Sequence, residues 1–298
     1  EYWLNVLGED LPVTEIQGDK PRPKIFQFTG NIHRFDLKPG LIDGLRKLAD
    51  RHQATLYMVL VASVFAFIHR MNGAHDMVIG TPVSGRSHED LEPIVGLFAN
   101  TVALRVKHQN EDSFISLLES VKKTVLEGFE HQDYPFDLLV ERLNLFRDTS
   151  RSPIFNINVA LQNFKFDQEI DQTFQGAKPK MIKTTHRTSK WDLEFEFVEL
   201  QNGQLYCNLE YYNGIYSESF IEEMVNSYVS LLETITKEDL AERPVQLLPI
   251  NPHCIGAISQ GEKKIFQSGF DYLHTIIDLS KKYPDAVAIR DDQGAVTY

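Results

Sequence analysis

Four short stretches of this chain carry side chains that could handle a proton, a carbonyl or an amine. The first is His131-Gln132-Asp133-Tyr134-Pro135-Phe136-Asp137. A histidine close to an aspartate suggests a base and the carboxylate that orients it. The stretch runs into Pro135, however, and proline forces extended backbone on the residue before it. The expected role of His131, Gln132 and Asp133 is therefore a turn-forming or capping network, with Asp133 capping a helix that Pro135 opens. The second stretch runs from Val95 to Arg105 and holds Gly96 and the pair Asn100-Thr101. An Asn carboxamide donates to a carbonyl and accepts from an amine, so Asn100 either orients a substrate or satisfies nearby backbone groups. Gly96 either permits a close backbone approach or marks a bulge. The third is Arg147-Asp148-Thr149-Ser150-Arg151-Ser152-Pro153, in which Arg147, Asp148 and Arg151 suit an ion-pair lattice. Lysine would replace Arg151 poorly, because it lacks the planar fork of the guanidinium. The fourth is Lys190-Trp191-Asp192, where Asp192 is expected to fix the start of a hairpin.

Several elements must position these groups. Glu1–Gly8 reads as the tail of a helix closed by Gly8, followed by an extended Pro-bearing connector from Asp10 to Pro23. Residues 31–37 alternate as a strand, and Pro39 opens a helix with Leu41, Ile42, Leu45, Leu48 and Ala49 on one face. Thr55 caps a helix ending at Asn72-Gly73. Met77–Gly80 reads as a short buried strand, Thr81–Arg86 as a turn-rich loop, and 97–106 as the strand carrying Asn100. Ser113 caps a helix with the stripe Phe114, Leu117, Leu118, Val121, Val125 and Phe129, and Phe136–Leu143 makes a shorter helix. Ile154–Gln162 is a strand, and residues 163–189 are polar and aperiodic. Lys190–Tyr212 reads as a hairpin with a type I′ turn at Asn202-Gly203. Ser217 or Ser219 starts a helix bearing Phe220, Ile221, Met224, Tyr228, Leu231, Leu232 and Ile235. The result is a mixed α/β core with long loops.

Composition limits the function classes. The chain has 298 residues, 42% of them apolar, which supports a buried core. A net charge of -12 argues against a general nucleic-acid binder, since phosphate neutralisation needs clustered cations. The compact basic groupings, Lys178/Lys180/Lys183 and Arg187/Lys190, read as solvated loop. The two cysteines, Cys207 and Cys254, form no C-x-x-C pair, so free thiols, no metal site and a cytoplasmic location are expected. The longest apolar run, Leu56–Ile68, is too short to span a bilayer, and no signal peptide is visible.

In this order and at this spacing, the Gly-x-Phe-x-Asn-Thr strand, the His-Gln-Asp-x-Pro-Phe stretch and the Arg-Asp-x-Ser-Arg-x-Pro loop resemble the condensation domain of nonribosomal peptide synthetases. Lys190-Trp191-Asp192 resembles the family's Lys-Phe-Asp segment, with Trp in place of Phe. The resemblance implies a lobe similar to chloramphenicol acetyltransferase, with a mixed sheet flanked by helices. It implies a tunnel between two such lobes, entered by the phosphopantetheine arms of donor and acceptor carrier proteins, where an amine attacks a thioester. The lobe itself would bind no cofactor. Thr81, Ser84, Arg86, Gly96, Asn100, Thr101 and Gln162 are then candidates for lining the acceptor channel. His131, Gln132, Asp133, Pro135, Phe136, Arg147, Asp148, Ser150, Arg151, Lys190 and Asp192 are structural motif residues, with closing the tunnel edge the alternative role for Arg147, Asp148 and Arg151, and residues 163–189 fall where the family bridges its lobes. The family's His-His-x-x-x-Asp-Gly motif belongs to the N-terminal lobe. No His-His pair occurs here, and His69, His75 and His88 stand alone, so no catalytic residue is assigned.

The expected organisation is a C-terminal condensation lobe at 1–239, a linker at 240–269 rich in proline, and the start of an adenylation domain at 270–298. The last rests on a helix candidate at Tyr272–Lys282, then Tyr283-Pro284-Asp285-Ala286-Val287-Ala288-Ile289 and Ala295-Val296-Thr297-Tyr298. Both ends are expected to be cuts through a larger enzyme. The expected partners are the N-terminal lobe, the carrier proteins and the adenylation domain, without nucleic acid or membrane. Heterocyclisation or epimerisation lobes, and a noncatalytic docking module, are the alternatives. A free-standing coenzyme A acyltransferase is more distant.

Overall fold

Alternating apolar side chains assemble six strands into one mixed sheet. The computed structural model describes residues 1–8, 10–109, 111–145, 148–162, 187–200, 202–248, 287–291 and 294–297. The strands are β1 (Gly30–Asp36), β2 (Asp76–Val83), β3 (Asn100–Lys107), β4 (Ile157–Gln162), β5 (Leu193–Glu199) and β6 (Leu205–Tyr212). Their order is β1-β6-β5-β4-β2-β3. β4 lies parallel to β5 and β2, and the other neighbours are antiparallel. β2 and β4 meet at one pair, Gly80↔Asn158. Below it, Thr14 Oγ1 accepts from Val78 N at 2.7 Å, so the segment before β1 completes hydrogen bonding that β4 leaves unmade. A Cβ at Gly80 would sit 2.0 Å from the Phe155 ring, so only glycine fits there.

The helices are α1 (Tyr2–Leu7), α2 (Pro39–Arg51), α3 (Leu56–Asn72), α4 (Phe114–Glu130), α5 (Phe136–Leu143), α6 (Glu218–Ile235) and the one-turn α7 (Glu238–Ala241). Local chemistry sets their ends. Thr55, Ser113 and Ser217 accept from the backbone N–H three residues on, and Gly73 closes α3 at φ 71. From Met58 to His69 every residue of α3 is buried. One face of the sheet, with Leu193, Phe195, Phe197, Cys207 and Leu209, is buried. Tyr228 of α6 packs there, 5.2 Å from Phe195 and 5.3 Å from Phe67, and its hydroxyl bonds Ser63 at 2.7 Å.

Three expectations shift. β2 continues through Val83, so Thr81 lies in a strand rather than a loop. Pro82 is tolerated because β2 has no β4 partner beyond Gly80. β3 begins at Asn100 rather than 97, because the preceding residues project without pairing. The β5–β6 turn is not type I′, which needs positive φ at both central residues. Only Gly203 of the pair has it (φ 81). Leu200 N donates to Gln204 O and Gly203 N to Leu200 O, the pattern of a longer loop closed by a left-handed glycine.

Residues 240–248, the first part of the expected linker, pack on the lobe. Val245 N donates to Asp112 O at 3.0 Å, Arg70 bonds the Gln246 carbonyl, and Val245 and Leu248 are buried. The helix candidate at 272–282, the rest of the linker, the segment 163–186 and Cys254 lie outside the described residues. A second unit, residues 257–298, contains an antiparallel hairpin of β7 (Val287–Asp291) and β8 (Gly294–Thr297). Among the described residues no single helix is long and apolar enough to cross a membrane.

The end of α3 holds a histidine cluster with a consequence for stability. His108 is 1% exposed and neither ring nitrogen has a hydrogen-bond partner. Its ring lies 4.8 Å from that of His69, and the Asp112 carboxylate lies 3.5 Å from Nδ1. Burial pushes its pKa down to about 4 from 6.5; His69 and His75 add to the shift and Asp112 opposes it. A depressed pKa means the unfolded chain binds the proton first as pH falls. The stabilisation is therefore present above the unfolded value and lost as pH drops toward the folded one. We expect a loss of about 2 kcal/mol between pH 7 and pH 5 from this site. Urea unfolding at both values checks it, and His108→Phe should flatten the dependence.

Candidate functional site

The carboxamide of Asn100 ties together three elements. It stands at the first position of β3, paired with Val83. Its Nδ2 donates to the carbonyls of Gln132 (2.7 Å) and Tyr134 (2.8 Å), and its Oδ1 accepts from Phe136 N (3.1 Å). It thus holds the turn between α4 and α5 and supplies the cap for α5. Asp133, the expected cap, is exposed, and α5 starts behind Pro135 without a cap from within the turn. The physical reason is reach: Pro135 is already extended (φ -62, ψ 133), and β3 delivers an acceptor directly to the Phe136 N–H.

The rest of the turn is equally committed. His131 ends α4, stacks on Tyr2 with ring centroids 4.0 Å apart, and sets Nδ1 2.9 Å from the Glu127 carbonyl. Its own carbonyl accepts from Trp3 Nε1 at 3.0 Å. Gln132 Nε2 donates to Phe129 O at 2.9 Å. His131 and Asp133 make no hydrogen bond to each other, so no base-and-orienter pair forms.

A second cluster gathers the loop at 148–153 and the start of β5. The Asp192 side chain is fully buried and takes both arms of Arg22, at 2.9 and 2.5 Å. Arg22 also bonds Glu15 (2.9 Å) and the Ser150 carbonyl (3.2 Å). Arg151 reaches Glu15 at 3.2 Å and Asp148 at 3.4 Å, while Asp148 accepts from Ser150 N and Oγ. Burial pushes the Asp192 carboxyl above its ordinary range, and Arg22 opposes that. Burial also works against the Arg22 charge, but the bonds and charge of Asp192 outweigh it and hold the guanidinium more firmly protonated. Asp148 is held low, chiefly by the Ser150 hydroxyl. Lys190 is exposed, and Arg147 lies outside the described residues.

The two clusters are joined by aromatic rings. Phe136 lies 5.5 Å from Phe155, and Phe155 lies 4.8 Å from Trp191. The His131–Phe136 turn, the strand after the 148–153 loop and the Lys190–Asp192 segment thus share one packed line.

The channel candidates disperse. Thr81 is buried, and its Oγ1 accepts from Tyr57 Oη at 2.7 Å, which turns it toward α3. Ser84 Oγ accepts from Arg86 N, and the Arg86 guanidinium lies 4.4 Å over the Phe98 ring while bonding the Leu91 carbonyl. Gly85 needs its left-handed φ of 64, with a Cβ there meeting Phe98 O. Gly96 sits in the exposed part of this loop, beside fully exposed Val95 and 93%-exposed Leu97. Thr101 pairs with Pro82, and Gln162 ends β4, both half-buried. Sequence reading missed Glu15, Arg22 and Phe155; the only available sign of Phe155 was Gly80, which its ring needs. Among the described residues no cluster of His, Cys, Asp and Glu could hold a metal ion. The arrangement positions elements, and among the described residues of these two clusters His131 and Asp133 form no proton-transfer pair.

Comparison with known proteins gives a consistent result. The sequence profile of the Condensation domain family matches residues 1–248. A plipastatin synthase of Bacillus subtilis (strain 168) is 39% identical over 299 residues, covering 100% of this chain and 12% of that protein. Gramicidin S synthase 2 of Brevibacillus brevis is 37% identical over 309 residues, covering 100% of this chain and 7% of its own length. Holo-AB3403, a four-domain nonribosomal peptide synthetase bound to AMP and glycine, superposes with a TM-score of 0.74 at 22% identity, over 100% of this chain and 23% of that one. The condensation domain of the Monacolin K polyketide synthase MokA superposes at 0.70 and 21% identity, over 81% and 57%. The structural likenesses establish the fold, a mixed sheet flanked by helices. The chain spans only a small part of the synthetases it matches.

Proposed function

The chain belongs to the condensation-domain family, and from that premise we propose that residues 1–239 are the acceptor-side lobe of a peptide-bond-forming condensation domain. One observation carries this reading. The motifs that resemble the family converge on the Asn100 and Asp192 clusters, where their described polar groups go mainly into local bonds, and no His-His pair occurs in the sequence. The lobe then contributes positioning, and the histidine that manages the proton belongs to the N-terminal lobe.

In the reaction, the acceptor amine attacks the donor thioester carbonyl. A carbon–nitrogen bond forms, the carbon–sulfur bond breaks, the amine gives up a proton and the thiol leaves on the donor arm. Orientation of the two arms supplies much of the acceleration, because it converts an encounter into an intramolecular step. Asn100 serves by anchoring the turn and α5 to β3. Ser84, Arg86, Gly96, Thr101 and Gln162 border the acceptor channel, and the loop carrying Val95 and Leu97 covers its apolar side chains against the other lobe. Residues 240–269 lead to the start of an adenylation domain at 270–298. The β7–β8 hairpin and the likeness to the plipastatin synthase, which extends over the whole chain, support that extension.

Alone, the chain is expected to form no peptide bond. Mixed with a separately expressed N-terminal lobe carrying the histidine motif and with loaded donor and acceptor carrier proteins, it should yield dipeptidyl-carrier product by mass spectrometry. Product should require both lobes. Two folded lobes that bind each other yet give no product would overturn the reading.

A further inference from the structure

Residues 244–248 leave the lobe beside its least satisfied histidine. They dock on the stretch between β3 and α4. Val245 N donates to Asp112 O at 3.0 Å, Pro244 bridges to Ser113, and Arg70 at the end of α3 bonds the Gln246 carbonyl. Val245 and Leu248 are fully buried, and residues 244–248 carry no titratable side chain. The same stretch opens on His108, whose two ring nitrogens are buried without a hydrogen-bond partner among the described residues. Native structures rarely keep such groups without a reason.

The surroundings of this ring resist a proton. The His69 ring of α3 lies 4.8 Å from that of His108 and 5.2 Å from that of His75. His69 Nδ1 faces the Ala74 carbonyl at 2.8 Å, and His75 Nδ1 faces the His108 carbonyl at 3.2 Å, so each of these nitrogens carries a hydrogen. Burial is the main influence against a charge on His69 or His108. Beyond it, His75 and Arg70 act against a charge on His69, and His69 and His75 act against one on His108. The carboxylate that favours a charge on His108 is Asp112, whose Oδ2 lies 3.5 Å from Nδ1. That oxygen is already engaged, accepting from Gln109 N at 2.8 Å. Asp112 therefore acts twice: its side chain folds the residues after β3, and its backbone carbonyl holds Val245.

We propose that His69, His75, His108 and Asp112 form a proton-sensitive clasp, which holds residues 244–248 on the lobe and frees them when the cluster is charged. A proton on His108 makes Nδ1 and Nε2 both donors. The Asp112 carboxylate then turns from Gln109 N toward the imidazolium, the turn it holds opens, and Val245 loses its acceptor. Repulsion from Arg70 and the neighbouring rings favours the same movement. The closed clasp keeps His108 neutral down to about pH 4, whereas a released ring takes its proton near 6.5. The clasp is thus closed above the released value and weakens as pH falls toward the closed one. The device does not depend on the acceptor-lobe reading. It sets how firmly the chain beyond residue 248 is tied to the lobe.

Amide hydrogen exchange of the whole chain, followed by NMR and corrected for the intrinsic rate at each pH, tests this. Protection of the Val245 amide should fall about twentyfold between pH 7 and pH 5. It should be insensitive to low urea, because a local opening exposes little surface. The Phe195 amide, inside the sheet, should exchange through a larger, urea-sensitive opening. His108→Phe should keep Val245 protection within about twofold over the same range. His108→Gln, uncharged at both pH values, serves if the phenylalanine variant does not fold. Val245 protection that does not fall in the parent, or that tracks Phe195 at both pH values, would overturn the clasp. So would a twentyfold fall that persists in a folded His108 variant.

Discussion

Replacing Arg22 by Met is expected to lower the unfolding free energy of the lobe by about 3–5 kcal/mol, among the largest single-residue effects in the molecule. The reason is the carboxylate left behind. Asp192 is fully buried and Arg22 supplies its two charge-assisted bonds. Burying a lone carboxylate costs far more than an exposed pair contributes, which is about 0–1 kcal/mol. The other contacts of Arg22, to Glu15 and the Ser150 carbonyl, are lost as well. The double variant Arg22→Met/Asp192→Leu should recover much of the loss, because an apolar pair needs no counter-charge. Urea unfolding checks this: the midpoint should fall for the single variant with an unchanged slope, and return most of the way in the double. A single variant within about 1 kcal/mol of the parent would mean that Asp192 finds another partner and that the cluster does not organise the lobe.

This cluster also shows where sequence reading stops. The sequence places Asp192 at the start of the hairpin, where its backbone accepts from Tyr212 N and donates to the Asn156 carbonyl, bonds that any residue there could make. That expectation used only neighbours. Arg22 lies 170 residues from Asp192, and Glu15 lies 136 residues from Arg151, in a connector without periodicity. Nothing local distinguishes such an arginine from a solvated one. The caps at Thr55, Ser113 and Ser217 were legible because capping acts over three residues. The Asn202-Gly203 turn was half legible: the glycine takes the left-handed position, but loop length, which decides the turn type, depends on the register of β5 against β6.

Asn100→Asp is expected to be more damaging than Asn100→Ala, at about 3–4 against about 2–3 kcal/mol. Alanine removes three hydrogen bonds and frees the carbonyls of Gln132 and Tyr134 to find water. Aspartate keeps the acceptor for Phe136 N but turns a second oxygen toward those two carbonyls, where the parent presents two N–H donors. A negative charge at the start of α5 gives back about 0.3–1 kcal/mol, which does not offset two reversed contacts. The order of the two variants in urea unfolding therefore reports what the carboxamide does. Hydrogen exchange adds the location: the Phe136 amide should lose protection in the alanine variant and keep more of it in the aspartate variant. Both variants should lower product in the complementation assay, because both loosen the turn and α5. If both were instead as stable as the parent while product still fell, the carboxamide would be meeting the substrate rather than the turn, and the anchoring role assigned to Asn100 would be wrong.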